Sequence, residues 1–371
     1  MNKNFLKKFE NKIDKSKWNK CKFSNLVQNI VEKVTPMKSE LDKYIGLKHL
    51  DSKSLKIRRF DKNINLIGDK QKIYKGDLIF AKRNSYLKRI AIAEFDAIAS
   101  AHSMVLRAKS TNVLPEFLPY FLLSETFWKR AISISVGSLS PTINWKTLAK
   151  QEFFLPPKNE QKKLTDLFES INDVINKEKI LKDKMKIKTD VFALDHIRCL
   201  KNNKELKLKE ICRPKQWKTI PKKELTKKGY LVYGGNGIIG YYKEYNHESP
   251  VIAIACRGEY CGNIHLTQPK SYITGNSMCL DTLDTNRIKT KYLYYYLYYN
   301  DLSKLITGSA QPQIIREDVE NFKIKDVSIN IQKDFIKKMD SFWLNINGIE
   351  DKIRKSKNLQ LSLIEKIFNE I

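Results

Sequence analysis

The residues most able to do covalent or redox chemistry in this chain are few. Gly235-Asn-Gly-Ile-Ile-Gly240 matches the GxGxxG dinucleotide pattern. A nucleotide-binding unit of that type needs an apolar helix directly after the last glycine. Here Tyr241-Tyr-Lys-Glu-Tyr-Asn-His247 follows and a strand begins by Val251, so the run is read as a tight glycine turn. Cys256 and Cys261, with His247 and His265 nearby, have ligand types suited to zinc, but the close Cys-x-x-Cys pairs of structural zinc sites are missing. There is no GxxxxGK[ST] phosphate loop, no Asp/Asn-Pro-Pro-Tyr/Phe motif for amino-methyl transfer and no Glu-x-Lys nuclease signature. The five histidines show no paired metal spacing. These observations weigh against catalysis, and neither catalytic nor metal-binding residues are assigned.

The strongest signal is a repeat. Gly137-Ser-Leu-Ser-Pro-Thr-Ile143 returns as Gly308-Ser-Ala-Gln-Pro-Gln-Ile314, and Asn159-Glu-Gln-Lys-Lys163 returns as Asn330-Ile-Gln-Lys-Asp334, both at an offset of 171. Upstream, His102-Ser-Met-Val-Leu106 pairs with Asn276-Ser-Met-Cys-Leu280 at 174, so small insertions separate the halves. A repeat of this length is a whole domain with its helix, not a solenoid unit. Two similar modules imply two similar ligands, or one ligand with two similar sites.

The elements that would hold these loops follow from periodicity and turn residues. Residues 27–34 read as a strand or helical turn, 44–50 as a strand entering a turn, 75–80 as a turn and a buried strand, and 90–94 as strand. Helix is expected over 114–131 and, rich in tyrosine, over 292–305; strands over 231–233 and 251–255. The dense tyrosines suit core and interface packing better than base stacking, which favours single strands. After each repeated loop comes a long amphipathic segment. Leu164, Leu167, Ile171, Val174, Leu181 and Met185 alternate three and four apart, as do Phe335, Met339, Phe342, Ile346, Ile349 and Ile353, with Leu363 and Ile367 beyond. This spacing places an apolar seam on one helix face for a partner helix. A helix over 331–369 would be roughly 60 Å long, more than a compact domain needs. Pro156-Pro157 blocks backward extension of the first helix and marks a junction. The expected organisation is domain 1–156, helix and linker 157–200, domain 201–328 and helix 329–371. The fold class is α+β, with two similar globular domains separated by two long helices that pack as an antiparallel coiled coil.

Composition fits two domains, at 371 residues with 42% apolar residues and a formal net charge of +28. Such an excess attracts polyanions and speeds encounter with them. No apolar run reaches the roughly 18–20 residues that span a bilayer, and the first dozen residues lack a signal-peptide core, so no membrane association and a cytosolic location are expected. Six scattered cysteines then read as buried thiols.

The order of domain, Gly-Ser-x-x-Pro-x-Ile loop, Pro-Pro-x-x-Glu-Gln-Lys-Lys junction and long helix, all given twice, resembles the specificity subunits of type I restriction–modification systems. Further phrases similar to those of their target-recognition domains are Tyr44-Ile-Gly-Leu, Lys75-Gly-Asp-Leu-Ile-Phe, Tyr233-Gly-Gly-Asn-Gly-Ile-Ile-Gly240, Arg257-Gly-Glu-Tyr-Cys-Gly262 and Leu155-Pro-Pro-Lys. The resemblance covers nearly the whole chain. The second junction departs from it, reading Ser328-Ile-Asn-Ile-Gln-Lys333 without the Pro-Pro and glutamate. The resemblance implies a non-catalytic subunit of a prokaryotic, cytoplasmic DNA adenine methylation and restriction complex. Each domain would read half of a bipartite duplex DNA site. The helices would set the spacing and dock two methyltransferase subunits, which carry S-adenosylmethionine; this chain would bind no cofactor. A translocating restriction subunit is a further expected partner. The alternatives are a basic scaffold for protein or RNA, and a fused modification enzyme, for which no motif is visible.

On physical grounds, lysines would supply phosphate contacts, while arginine selects guanine and asparagine or glutamine selects adenine. The candidate DNA-binding residues are Lys82, Arg83, Lys88, Ser138, Ser140, Thr142, Asn144 and Lys146 in the first domain. In the second they are Arg257, Ser309, Gln311, Gln313 and Arg316. Because the two loops differ in side-chain chemistry, the two half-sites are expected to differ.

Overall fold

A computed structural model describes residues 13–62, 66–308 and 311–369. The chain divides into two compact units, Met1–Glu178 with Asp351–Ile371, and Lys179–Glu350. The long helices span Lys158–Cys199 and Ile329–Phe368. The units therefore divide partway along these helices rather than at their ends, and each unit holds one half of each helix.

In the first unit the central sheet comprises β1 (Val27–Ile30), β2 (Leu78–Ala81), β3 (Ile90–Ile92) and β4 (Ser103–Ala108), in the antiparallel order β1-β4-β2-β3. All four residues of β2 are buried, because both of its faces are covered. On one face Phe80 stacks on Trp128 at 5.1 Å and meets Phe127 edge-on. On the other, Ile79 and Ala81 join Ile45, Ile73 and Val105. The second unit repeats the sheet with β5 (Arg213–Gln216), β6 (Ile252–Ala255), β7 (Ile264–Leu266) and β8 (Ser277–Asp281), in the order β5-β8-β6-β7. The repeats differ in the accessory sheet, which has five strands in the first unit and three in the second. In the second, Gly234 pairs with Gly237 around a two-residue turn, where Gly237 takes φ +78. The strand Gly237–Tyr242 follows, so the GxGxxG run is a hairpin turn.

Two expected helices are shorter than periodicity suggests. The segment 114–131 breaks at Ser124, between helices Leu118–Leu123 and Glu125–Ser133. The Ser124 hydroxyl accepts from Phe127 N and donates to Phe121 O, capping one helix and closing the other. The tyrosine helix is Thr290–Tyr298, and Asp301 caps a separate turn, Leu302–Leu305. Its tyrosines pack and anchor. Tyr292, Tyr295 and Tyr296 are buried, and the hydroxyls of Tyr295 and Tyr299 donate to Asp340 (2.8 Å) and Asp190 (3.0 Å) on the two long helices.

Each long helix is seated by a buried glutamine. Gln161 Oε1 accepts from Leu114 N (2.8 Å) and its Nε2 donates to Pro156 O (2.9 Å). Gln332 Oε1 accepts from Lys289 N (2.8 Å), while its Nε2 donates to Val327 O (2.8 Å) and Arg287 O (2.9 Å). The glutamine is what the two junctions share, and it makes the same bonds where the second junction lacks Pro-Pro and the glutamate.

The helix seam is antiparallel. In the second unit the pairs Lys182–Glu350, Phe192–Phe342 and His196–Phe335 ascend one helix as they descend the other. In the first unit Gln360 Nε2 donates to Phe168 O (3.1 Å). Leu164 and Ile171 are buried as expected, and so are Phe335, Met339, Ile346, Ile349 and Ile353. Leu167 and Phe342 are half-buried. Val174 and Leu181 depart from the expected seam, at 50% and 48% exposed. Phe168 and Ile175 are buried instead, and between Ile175 and Thr189 no residue of the first helix is fully buried. A straight α-helix drifts by about 20° per heptad relative to a 3.5-residue repeat, so a strict extrapolation from Leu164 and Leu167 leaves the buried face.

Two outcomes test this packing. Replacing Gln161 or Gln332 with leucine strands buried backbone groups, and each change should cost about 1–3 kcal/mol in denaturant unfolding; an unchanged midpoint would show the clamp to be dispensable. Ile171→Asp and Ile346→Asp put a charge at buried seam positions. Each should lower stability by roughly 2–4 kcal/mol, read as a fall in Tm with loss of helical circular dichroism.

Candidate nucleic-acid interface

Three segments distant in sequence are stitched together at one end of each central sheet. The repeated loop closes on itself: Val136 and Thr142 exchange backbone hydrogen bonds of 3.0 and 2.9 Å, and Thr307 and Gln313 exchange bonds of 2.8 and 2.9 Å. Glycine opens each loop because φ is positive there, +107 at Gly137 and +83 at Gly308. A Cβ on Gly308 would sit 2.6 Å from Gln311 O. The isoleucine that ends each motif, Ile143 or Ile314, is buried. Its N–H donates to the residue just after the central strand, Lys82 O (2.9 Å) or Cys256 O (3.1 Å). The proline carbonyl accepts from Ser85 N (3.2 Å) in one repeat and Gly258 N (3.0 Å) in the other. The third segment precedes β4 and β8: His102 O accepts from Lys82 N and Asn276 O from Cys256 N, both at 3.1 Å. The backbone of this platform is thus the same twice over.

The structure brings together candidates that lie apart in sequence. Arg83 bridges to Thr142 and Arg257 to Gln313. Arg83, Ser138, Asn144, Lys146, Arg257, Gln311 and Gln313 are exposed; Lys82, Ser140 and Thr142 are half-buried, with the Thr142 hydroxyl turned back onto Ser140 O (3.0 Å). Two candidates are not free. Lys88 is 25% exposed and ion-paired with Glu125, and the Arg316 guanidinium is paired with Glu320 at 2.6 Å. Charge composition alone does not show such pairing. Ser309 lies outside the described residues.

Sequence reasoning missed His102 and Asn276 as site members, although they open the third repeated phrase. Both are exposed, and His102 Nε2 lies 3.4 Å from Arg83 Nη1. Burial first, then the charges of Arg83, Lys82 and Lys70, push the His102 imidazole below the usual histidine value.

The Cys256–Cys261 region does not gather a ligand set. Among the described residues, the His247, Cys279 and Asp281 ligand atoms come within 4.8 Å of one another. Asp281 already accepts from Trp217 Nε1 (3.0 Å) and contacts His247 Nε2 (2.8 Å). Burial pushes the Cys279 thiol well up, which disfavours the thiolate a metal needs. This donor set does not fit a metal site. Among the described residues no helix is long and apolar enough to cross a membrane.

The platform is a binding surface in duplicate, an exposed set of hydrogen-bonding and basic side chains on rigid backbone. The sequence profile of the type I restriction modification DNA specificity domain matches residues 6–185 and again 201–356, and the chain belongs to this family. It is 27% identical over 122 residues to the EcoprrI type I restriction enzyme specificity subunit of Escherichia coli, across 33% of this chain and 30% of that protein. It is 26% identical over 174 residues to the EcoDI specificity subunit of Escherichia coli, across 46% and 38%. The chain thus spans about a third of the length of the curated relatives it matches. A type I restriction–modification S subunit from M. genitalium shares the fold, with TM-score 0.56 at 18% identity over 97% of this chain and 98% of that one. So does a chain from a structure of complex assembly and conformational transition in the type I R-M system, with TM-score 0.62 at 18% identity over 95% and 97%.

The His102 environment gives a signed pH prediction. A phosphate near Arg83 and His102 would oppose the depression of the imidazole, so DNA binding takes up a proton and tightens as pH falls from 7.5 to 6. A one-unit rise on binding gives up to about ten-fold. His102→Asn, which copies Asn276, should flatten the profile in anisotropy titrations; identical profiles would remove His102 from the interface. In the free protein the sign is opposite, because a depressed histidine lowers stability as pH falls through its ordinary value.

Proposed function

We propose that the chain is the non-catalytic DNA sequence-specificity subunit of a type I restriction–modification complex. Each platform reads one half of a bipartite duplex site. The observation that carries this reading is one backbone framework built twice with different side chains. Arg83, His102, Ser138 and Thr142 stand in one platform; Arg257, Asn276, Gln311 and Gln313 in the other. Amide and guanidinium side chains make bidentate contacts with adenine and guanine edges, whereas hydroxyls are less discriminating. The two half-sites therefore differ and the target is asymmetric. Phosphate contacts from the basic surface supply the sequence-independent part of affinity.

The long helices set the spacing between half-sites and dock two methyltransferase subunits, which bring S-adenosylmethionine and transfer the methyl group to adenine. A translocating restriction subunit joins the same assembly. This chain binds no cofactor and supplies recognition only, in the prokaryotic cytoplasm.

The decisive experiment is expression with the methyltransferase subunit encoded beside it, followed by long-read mapping of methylated adenines. A single split, non-palindromic motif that disappears when this chain is omitted is expected. A palindromic motif would refute the asymmetry. A motif unchanged without the chain would refute the specificity role and favour a scaffold for RNA or protein.

A further inference from the structure

The two platforms are built alike but filled differently. Behind the first, a cavity of about 190 Å³ opens between the end of β4, the residue after β2 and the segment that follows the loop. Ser103 is 2% exposed, yet its hydroxyl has no hydrogen-bond partner. Gln71 turns in a buried amide oxygen that likewise has none. Lys82 and Asn144 add polar groups at the rim, and Met104 and Trp145 form apolar wall.

In the second repeat the corresponding groups satisfy one another. The pairing of β5 with β8, set against that of β1 with β4, puts Gln216 where the first repeat has Val31. Gln216 Nε2 donates to Gly275 O (2.8 Å) and lies 3.0 Å from Cys256 Sγ, at the position of Lys82. Ser277, the counterpart of Ser103, donates to Gly234 O (3.1 Å). In the first repeat Val31 is 64% exposed and reaches nothing comparable. Buried polar atoms left without partners are rare and call for a ligand or water. The cavity far exceeds the ~30 Å³ share of one water and falls short of the roughly 300 Å³ at which drug-sized sites begin. Its orphan atoms include an acceptor, which a phosphate cannot satisfy, and a hydroxyl that can donate or accept. Flat apolar wall with such an edge suits one planar heterocycle bearing both donors and acceptors.

We propose that this pocket takes a single nucleobase, either turned out of a duplex held on the adjoining platform or presented by a free nucleotide. The duplex source rests on the DNA-recognition reading above. Turning a base out costs unstacking and unpairing energy, which is repaid where a shaped pocket pairs its edge. The first half-site is then read partly by extrusion and the second by groove contacts alone.

The test uses the full chain with its methyltransferase partner and duplexes carrying the mapped target. 2-Aminopurine or pyrrolocytosine replaces each base in turn, with permanganate reactivity for thymines. The expected result is one position that brightens at least three-fold on binding. Val31→Gln, which installs the second repeat's plug at an exposed position, should abolish that signal and weaken binding about ten-fold. Ser103→Ala should weaken binding a few-fold, and Gln216→Val should leave the signal in place. Tight, site-selective binding with no responsive position and an unaffected Val31→Gln variant would overturn the proposal, leaving a hydrated cavity while the DNA reading stands. If the duplex is not bound, the DNA reading fails, and nucleoside monophosphates alone decide. Quenching of Trp145 fluorescence that Val31→Gln removes would support the free-nucleotide source, and no quenching would overturn the pocket altogether.

Discussion

The structure depends on how each long helix leaves its domain, and one buried amide fixes that in each unit. The Gln161 and Gln332 side chains reach from the first turn of a long helix to the connection entering Leu118–Leu123 or Thr290–Tyr298, and to the residue that closes the preceding strand region. A single side chain thereby satisfies backbone donors and acceptors that would otherwise be buried unpaired, at roughly 1–3 kcal/mol for each group. The cost of breaking such a seat is higher than the net worth of its bonds, because nothing else can reach those groups. Proline stiffening at Pro156-Pro157 adds to this in one unit only, and the other unit does without it. A long helix whose first turn is fixed in this way carries its direction over its whole length.

The platforms show a related division of labour. Their shape is made by backbone hydrogen bonds, by a glycine at positive φ and by one buried isoleucine, and none of these constrains the polar side chains that project outward. Those side chains can then differ between repeats without altering the frame. Arg83 and Arg257 keep a cation at one shared point, while hydroxyls at 138 and 142 in one repeat stand against amides at 311 and 313 in the other. A recognition surface on rigid scaffolding loses less freedom on binding than a loop that must order itself, and base readout needs that positional fidelity more than phosphate contact does.

Much of this was legible in the sequence because it is local. The offsets 171 and 174 gave the repeat, the glycine in each loop gave the turn, and the alternating apolar spacing gave both long helices. What the sequence hid was nonlocal. Lys88 looks like a free cation until the fold brings it against Glu125, 37 residues away. His102 lies 35 residues from Gly137, and only the pairing of β2 with β4 carries it to Arg83. Val174 looks like a seam residue from spacing alone, yet Ile175 is the one buried. The split at Ser124 was hidden for a different reason: serine is tolerated within a helix, and only its cap bonds to Phe121 and Phe127 identify it as a terminus.

The charge distribution sets limits on how such a surface can discriminate. With a formal net charge of +28 the chain is drawn to any duplex, and that attraction is blind to sequence. Selectivity has to come from the few side chains that the platforms hold near base edges, each good bidentate contact being worth about 1–3 kcal/mol against a wrong base. One platform offers too few such contacts to outweigh the excess of non-specific sites in a genome. Two platforms carried on shared helices multiply their discrimination, provided both bind the same duplex at once, since the second contact is then made at high effective concentration. The duplication is therefore the means by which weak individual readers become a specific one, and the rigidity of the helix seats decides whether the two can act together.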